Sequence, residues 1–170
     1  MQDYYDGWSL MIEQYPITIN YTQVSVYLSN KNDPDLIWTD DHVAQGFSWD
    51  PGNVAFGVPD HDGQCWIEVN TAAETPDLRV ESSNWAIEVP FDVDETDVEI
   101  GTILDTKPYR ITPGRHRLIF EAHPGQDIEG TSYAYVLRLS FIASTEQEFK
   151  ILKQGELASG RVLSKTAKRQ

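Results

Sequence analysis

The residues of this chain that could do chemistry are four histidines, one cysteine and a surplus of carboxylates. His42, His61, His116 and His123 lack metal-ligand spacing: there is no H-E-x-x-H, no cysteine pair and no H-x-H. Asp60-His61-Asp62-Gly63 has the look of an opening calcium loop, but the spacing is wrong and the closing glutamate is missing, so it reads as a β-turn. Asp40-Asp41-His42 invites an acid–base reading. Neighbours on a helix point about 100° apart, so these three do not converge on one substrate. Carboxylates in a first turn already have a role, at the positive end of the helix dipole. Arg110, Arg115, His116 and Arg117 could hold a phosphate, but among so many carboxylates they read as ion-pair partners beside a hairpin. No Gly-rich phosphate loop and no G-x-S-x-G is present. His61, His123 and scattered acids, gathered by the fold, are the one catalytic arrangement left open. The residues point away from an enzyme, with no catalytic set, metal or cofactor expected.

Charge is the strongest signal in the composition. The 170 residues carry a net −14, unevenly spread. Residues 150–170 hold six basic groups against Glu156, a net +5, while the preceding 149 residues hold 7 basic and 26 acidic groups, a net −19. Such a body repels nucleic acid and anionic membrane surfaces and attracts a basic protein surface. No run approaches the roughly 20 apolar residues that span a bilayer. The start, MQDYYDGWSL, lacks the basic and apolar regions of a secretory signal, which makes the cytoplasm the expected location. Cys65 has no disulfide partner, in keeping with a reducing compartment, and reads as a small buried hydrophobe.

The elements that would position these residues are short strands. In YTQVSVYLS, Val24, Val26 and Leu28 alternate with polar neighbours, the pattern of a half-buried strand. WAIEVPFDV places Trp85, Ile87, Val89, Phe91 and Val93 on one face, and YAYVLRLSFIA does the same for Tyr133, Tyr135, Leu137, Leu139 and Phe141. Pro16 marks a strand boundary or an edge, and Pro124-Gly125 opens a loop reaching to Gly130. Asp40–Gln45 is the helix candidate, with Thr39 as N-cap and Gly46 as its stop. Asp50-Pro51-Gly52-Asn53 is a turn between two strands. Turn signals recur every 8–12 residues. The expected fold is therefore all-β: an antiparallel β-sandwich of about nine to eleven short strands with one short helix. Residues 1–153 form the sandwich domain and 154–170 a basic, flexible C-terminal tail. The expected core is Trp8, Val24, Val26, Trp38, Phe47, Trp49, Phe56, Trp66, Val89, Phe91, Leu118, Phe120, Val136 or Leu137, and Phe141.

One ordered series of segments carries a family resemblance. Trp38-Thr39-Asp40-Asp41-His42-Val43-Ala44-Gln45-Gly46-Phe47 follows a strand at Val24-Ser25-Val26-Tyr27. It precedes Val54-Ala55-Phe56, then Val89-Pro90-Phe91-Asp92-Val93, then Pro113-Gly114-Arg115-His116-Arg117-Leu118. In this order and spacing, over roughly residues 20 to 143, the chain resembles the competence protein J family, bacterial inhibitors of a DNA-entry nuclease. The resemblance implies a protein without catalytic activity that binds and inhibits a DNA nuclease. A nuclease toxin with its immunity protein is a second context for the same chemistry. Charge and resemblance together lead to an acidic inhibitor whose partner is a basic nuclease or nuclease toxin. The partner-binding candidates are Asp40, Asp41, Trp49 and Asp50, with Asp60 and Asp62 on the following turn. The alternative is a β-sandwich that stacks a small ligand or carbohydrate on an aromatic strand face.

Overall fold

Phe56 and Phe120 stack at 4.6 Å between ring centroids, one from each of two facing sheets. The computed structural model describes residues 10–167 apart from 20–21, 32–33, 60–63, 73–76 and 103–104. Among the described residues, eleven strands make two sheets. The larger contains β1 (Leu10–Thr18), β5 (Gln64–Ala72), β6 (Trp85–Val93), β9 (Gly114–Ile128), β10 (Thr131–Ala143) and β11 (Lys150–Lys153), in the order β1-β5-β10-β9-β6-β11. The smaller contains β2 (Gln23–Leu28), β3 (Phe47–Asp50), β4 (Asn53–Gly57), β7 (Val98–Thr102) and β8 (Asp105–Tyr109), in the order β3-β4-β2-β7-β8. The helix α1 (Asp40–Gln45) precedes β3, and a 3₁₀ turn spans Val80–Ser82. This is the all-β two-sheet architecture that the strand patterns predict.

One pairing departs from the antiparallel expectation: β5 and β10 run parallel, Val136 opposite Trp66 through Ile142 opposite Ala72. Parallel neighbours need a long crossover, and here β6 to β9 supply it.

The interior follows the alternation. Val24 and Val26 are fully buried and, with Phe47 and Phe56 of the same sheet, join Ile87, Val89, Leu118, Phe120, Leu137, Leu139 and Phe141 of the larger sheet in one apolar cluster. Burying such side chains is worth about 1.5–3 kcal/mol each before entropy is counted. The tryptophans divide unexpectedly. Trp85 is fully buried and meets Tyr135 edge-on at 5.6 Å, while Trp38, Trp49 and Trp66 are half-buried. Trp8 lies outside the described residues. Cys65 is fully buried, and that burial pushes its thiol up to about 11.

The outer face of the larger sheet is covered too. Arg138 on β10 is 2% exposed. Its Nε donates to Glu68 on β5 at 3.1 Å and one Nη to Glu121 on β9 at 3.3 Å. The same nitrogen donates to the carbonyl of Asp77 at 2.9 Å. Glu121 also accepts from the backbone N–H of Arg79, and its Oε1 lies 2.9 Å from His123 Nε2. Beside this network Ala72, Ile119 and Ile142 form a small second core under Leu78 and Leu152. The alternating pattern of β10 hid this layer, since a single covered face accounts for it equally well.

The β9–β10 hairpin is longer than Pro124-Gly125 suggests. Both strands continue past that dipeptide, and the turn is Glu129-Gly130, where φ is 51° and 84°. Two successive positive φ values make the primed turn that suits strand twist. β6 ends opposite Ala122, so Pro124 loses no partner by lacking an N–H. A Cβ at Gly125 would collide with the carbonyls of Tyr133 and Ala134, so the close approach of the strands requires glycine there.

Candidate functional site

The helix α1 buries His42 and Gln45 and exposes its one large apolar side chain. Gln45 is fully buried and His42 2% exposed, yet Val43 is 58% exposed. The reason lies in what covers the helix. Residues 157–166 run across it, and their backbone groups need partners. Gln45 Oε1 accepts from the N–H of Leu163 and of Ser164 at 2.8 and 2.9 Å. Its Nε2 donates to the carbonyls of Phe47 and Ser164 at 2.9 and 2.8 Å. The side-chain amide therefore uses two donors and two lone pairs, its full capacity. His42 accepts the Thr39 backbone N–H at Nδ1 (3.0 Å), which leaves the proton on Nε2, and that atom donates to the carbonyl of Thr166 at 2.8 Å.

The helix stops where the sequence indicates. Gly46 adopts φ 89°, and its N–H donates to the carbonyl of His42 at 2.9 Å. Its place is doubly constrained, because a Cβ there would strike the carbonyl of Leu157. Ser159 N–H donates to Ala44 O at 2.9 Å, and Gly57 N–H to Gly46 O at 2.8 Å. The helix is thus held between the end of β4 and the C-terminal segment. The sequence predicts a basic, flexible tail over 154–170; residues 157–166 make this set of contacts, and 168–170 lie outside the described residues.

A cleft of about 380 Å³ opens beside the helix, with Trp38, Val43, Val58, Pro59 and Leu157 in its walls. The Trp38 ring lies over Gly57, 3.7 Å from where a Cβ would stand, and its buried Nε1 has no hydrogen-bond acceptor among the described residues. Asp40 and Asp41 are exposed on the first turn of the same helix. A second cleft of about 390 Å³, between β1 and β8, is lined by Tyr15, Ile17, Gln64 and Lys107, among others. Its Lys107 is paired with Glu13 at 3.3 Å and sits 4.0 Å above the Tyr15 ring.

The partner-binding candidates do not all come together. Asp40 and Asp41 stand at the α1 end of the β3–β4 hairpin. Trp49 and Asp50 lie toward its far tip, next to the Pro51-Gly52 turn. Trp49 is engaged within the fold. Its Nε1–H donates to Pro90 O at 2.7 Å, and its ring meets Phe149 edge-on at 4.9 Å. Asp60 and Asp62 lie outside the described residues, as does His61; the segment that carries them follows Pro59, a wall of the cleft. The basic cluster is spent on pairing: Arg117 grips the buried Glu88 through two bonds of 3.0 Å, Arg110 pairs with Asp97 at 2.8 Å, and Arg115 donates to Gln147. Val43, Val58 and Leu157 were missed in the sequence. The available signal was an apolar β-branched residue on a helix too short to need it.

Residues 16–142 match the family described as Competence protein J (ComJ). Among solved structures, the crystal structure of ComJ from Bacillus subtilis, described as the inhibitor of the DNA-degrading activity of NucA, superposes with a TM-score of 0.68 at 18% identity. The match covers 80% of this chain and 98% of that one. No curated protein matches the chain. With the match running from β1 to the end of β10, the chain belongs to the competence protein J family.

Proposed function

We propose that this protein binds a DNA nuclease and blocks its action on DNA, without catalysis of its own. The observation that carries this reading is family membership across residues 16–142. The fold shared with the NucA inhibitor and the net charge of −14 support it. A DNA nuclease holds phosphates in a basic cleft, and an acidic protein is drawn to such a surface at rates that fall with salt. The exposed Asp40 and Asp41 and the cleft beside them form the contact surface. Trp49 and Asp50 contribute by shaping the β3–β4 hairpin. A nuclease of DNA uptake and a nuclease toxin would meet the same surface, and the gene beside this one distinguishes them.

The test is a titration of the purified protein into NucA and a panel of basic DNA nucleases, with plasmid degradation as readout. Inhibition complete near a one-to-one ratio is the expected result. A panel in which every nuclease works at full rate beside excess protein would overturn the reading.

A further inference from the structure

We infer that the cleft beside α1 seats an apolar side chain of the nuclease, and that the C-terminal segment, through Leu157, sets which side chain it accepts. This rests on the nuclease-inhibitor reading above and adds to it the anchor point and the source of specificity.

Val43 is the large hydrophobe exposed among the described residues. It stands at the cleft mouth with Trp38, Val58, Pro59 and Leu157 as the walls. A β-branched residue lowers helix propensity slightly, so nothing in a six-residue helix favours valine at an exposed position. The Trp38 ring forms one wall, and its Nε1–H is buried without an acceptor among the described residues. Around this apolar centre the rim is charged. Asp40 and Asp41 stand exposed on the same helix. Of the strap's cations, Lys165 is placed over the Phe149 ring at 5.7 Å, while Arg161 stays exposed. An apolar pocket ringed by charge is the arrangement of a binding hot spot, and the sign of the rim calls for a basic partner.

The specificity argument comes from chain position. Four of the five named walls lie within residues 16–142, the part that matches the family, and Leu157 lies outside it. The superposition takes in 98% of the NucA inhibitor but only 80% of this chain. One wall of the cleft therefore comes from a segment beyond the family match. Changing one wall of a pocket changes which partner fits, at little cost to the fold.

The experiment compares four proteins against NucA and the same panel of basic nucleases: the unaltered chain, Val43→Asp, Leu157→Ala and, as a control of equal charge on a distant exposed site, Thr112→Asp. Val43→Asp is expected to weaken inhibition about tenfold or more with an unchanged melting temperature. Leu157→Ala is expected to change the ranking of nucleases, and Thr112→Asp to change nothing. If Val43→Asp lowers the melting temperature, Val43→Ser replaces it, with the same loss expected. An unaltered chain that inhibits, beside Val43 variants that inhibit equally well, would overturn the anchor and leave the inhibitor reading standing. An unchanged ranking for Leu157→Ala would overturn the role of the segment. An unaltered chain that inhibits no nuclease would remove both.

Discussion

Gln45 holds Ser164 by both of its backbone groups, accepting from the N–H at 2.9 Å and donating to the carbonyl at 2.8 Å. The two residues are 119 positions apart, and the contact fastens the C-terminal segment onto α1. Gln45→Glu keeps the shape and removes the donor, turning a carboxylate toward the carbonyls of Phe47 and Ser164. The expected outcome is a loss of about 2 kcal/mol or more in urea unfolding, because a buried polar site is left wrongly paired. Faster amide exchange over 157–166 would accompany it. Exchange that stays as slow as in the unaltered chain would mean that other contacts hold the segment.

Arg138 is buried between carboxylates of two neighbouring strands. Arg138→Met removes the cation and leaves Glu121, fully buried, and Glu68 without it. The expected cost is about 3–5 kcal/mol. A triple change that also makes Glu68 and Glu121 glutamine should recover part of that loss. A single variant as stable as the unaltered protein would show that the pair contributes nothing beyond packing.

His116 gives a pH dependence with a definite sign. Burial lowers its pKa below the usual 6.5, outweighing its bond to the Gly114 carbonyl at 3.0 Å and the nearby Asp92. The folded chain therefore binds this proton less readily than the unfolded chain. Stability from this group is complete above the unfolded value and falls as the pH drops below about 6.5, levelling off beneath the folded value. Melting temperatures between pH 7.5 and 5.5 should fall further for the unaltered protein than for His116→Asn. Superimposable profiles would place the titration elsewhere.

Asp40 and Asp41 test the electrostatic half of the proposed contact. Replacing both by lysine reverses the charge on the exposed first turn of α1. Association with a basic nuclease should slow about tenfold at low salt, with the difference shrinking as salt is added. Stopped-flow association at two ionic strengths reads this directly. A salt-independent difference would point to a local contact and not to steering.

Much of the fold was legible because it rests on local chemistry. The helix from Asp40 to Gln45, its stop at Gly46 and the turn at Pro51-Gly52 all appear where their residue types place them. Val24, Phe56, Phe91, Phe120 and Phe141 were identifiable as core from alternation alone. What escaped depends on pairing between distant segments. Arg138 reads as the polar member of a half-exposed strand until β5, β9 and the backbone at Asp77 surround it. The burial of His42 and Gln45 was not legible, because nothing local announces that residues 163–166 need their hydrogen bonds. Trp49 invited a binding role, yet its indole N–H meets Pro90, 41 residues away. The site was legible as a segment, from Ile37 to Gly57, and not as a surface.

The position of Arg138 also governs how this chain can go wrong while folding. Side chains alternate along β10, so a slip of one residue against β5 would move the guanidinium to the interior, where Leu137 and Leu139 belong. A charge in that place has no partner, and the misaligned sheet would be too costly to persist. Correct alignment satisfies it from both sides at once, through Glu68 seventy residues earlier and Glu121 seventeen residues earlier. The buried cation thus acts as a proofreader of strand alignment. It penalises wrong pairings of a parallel contact that joins strands far apart in sequence, where chance misalignment has the most alternatives.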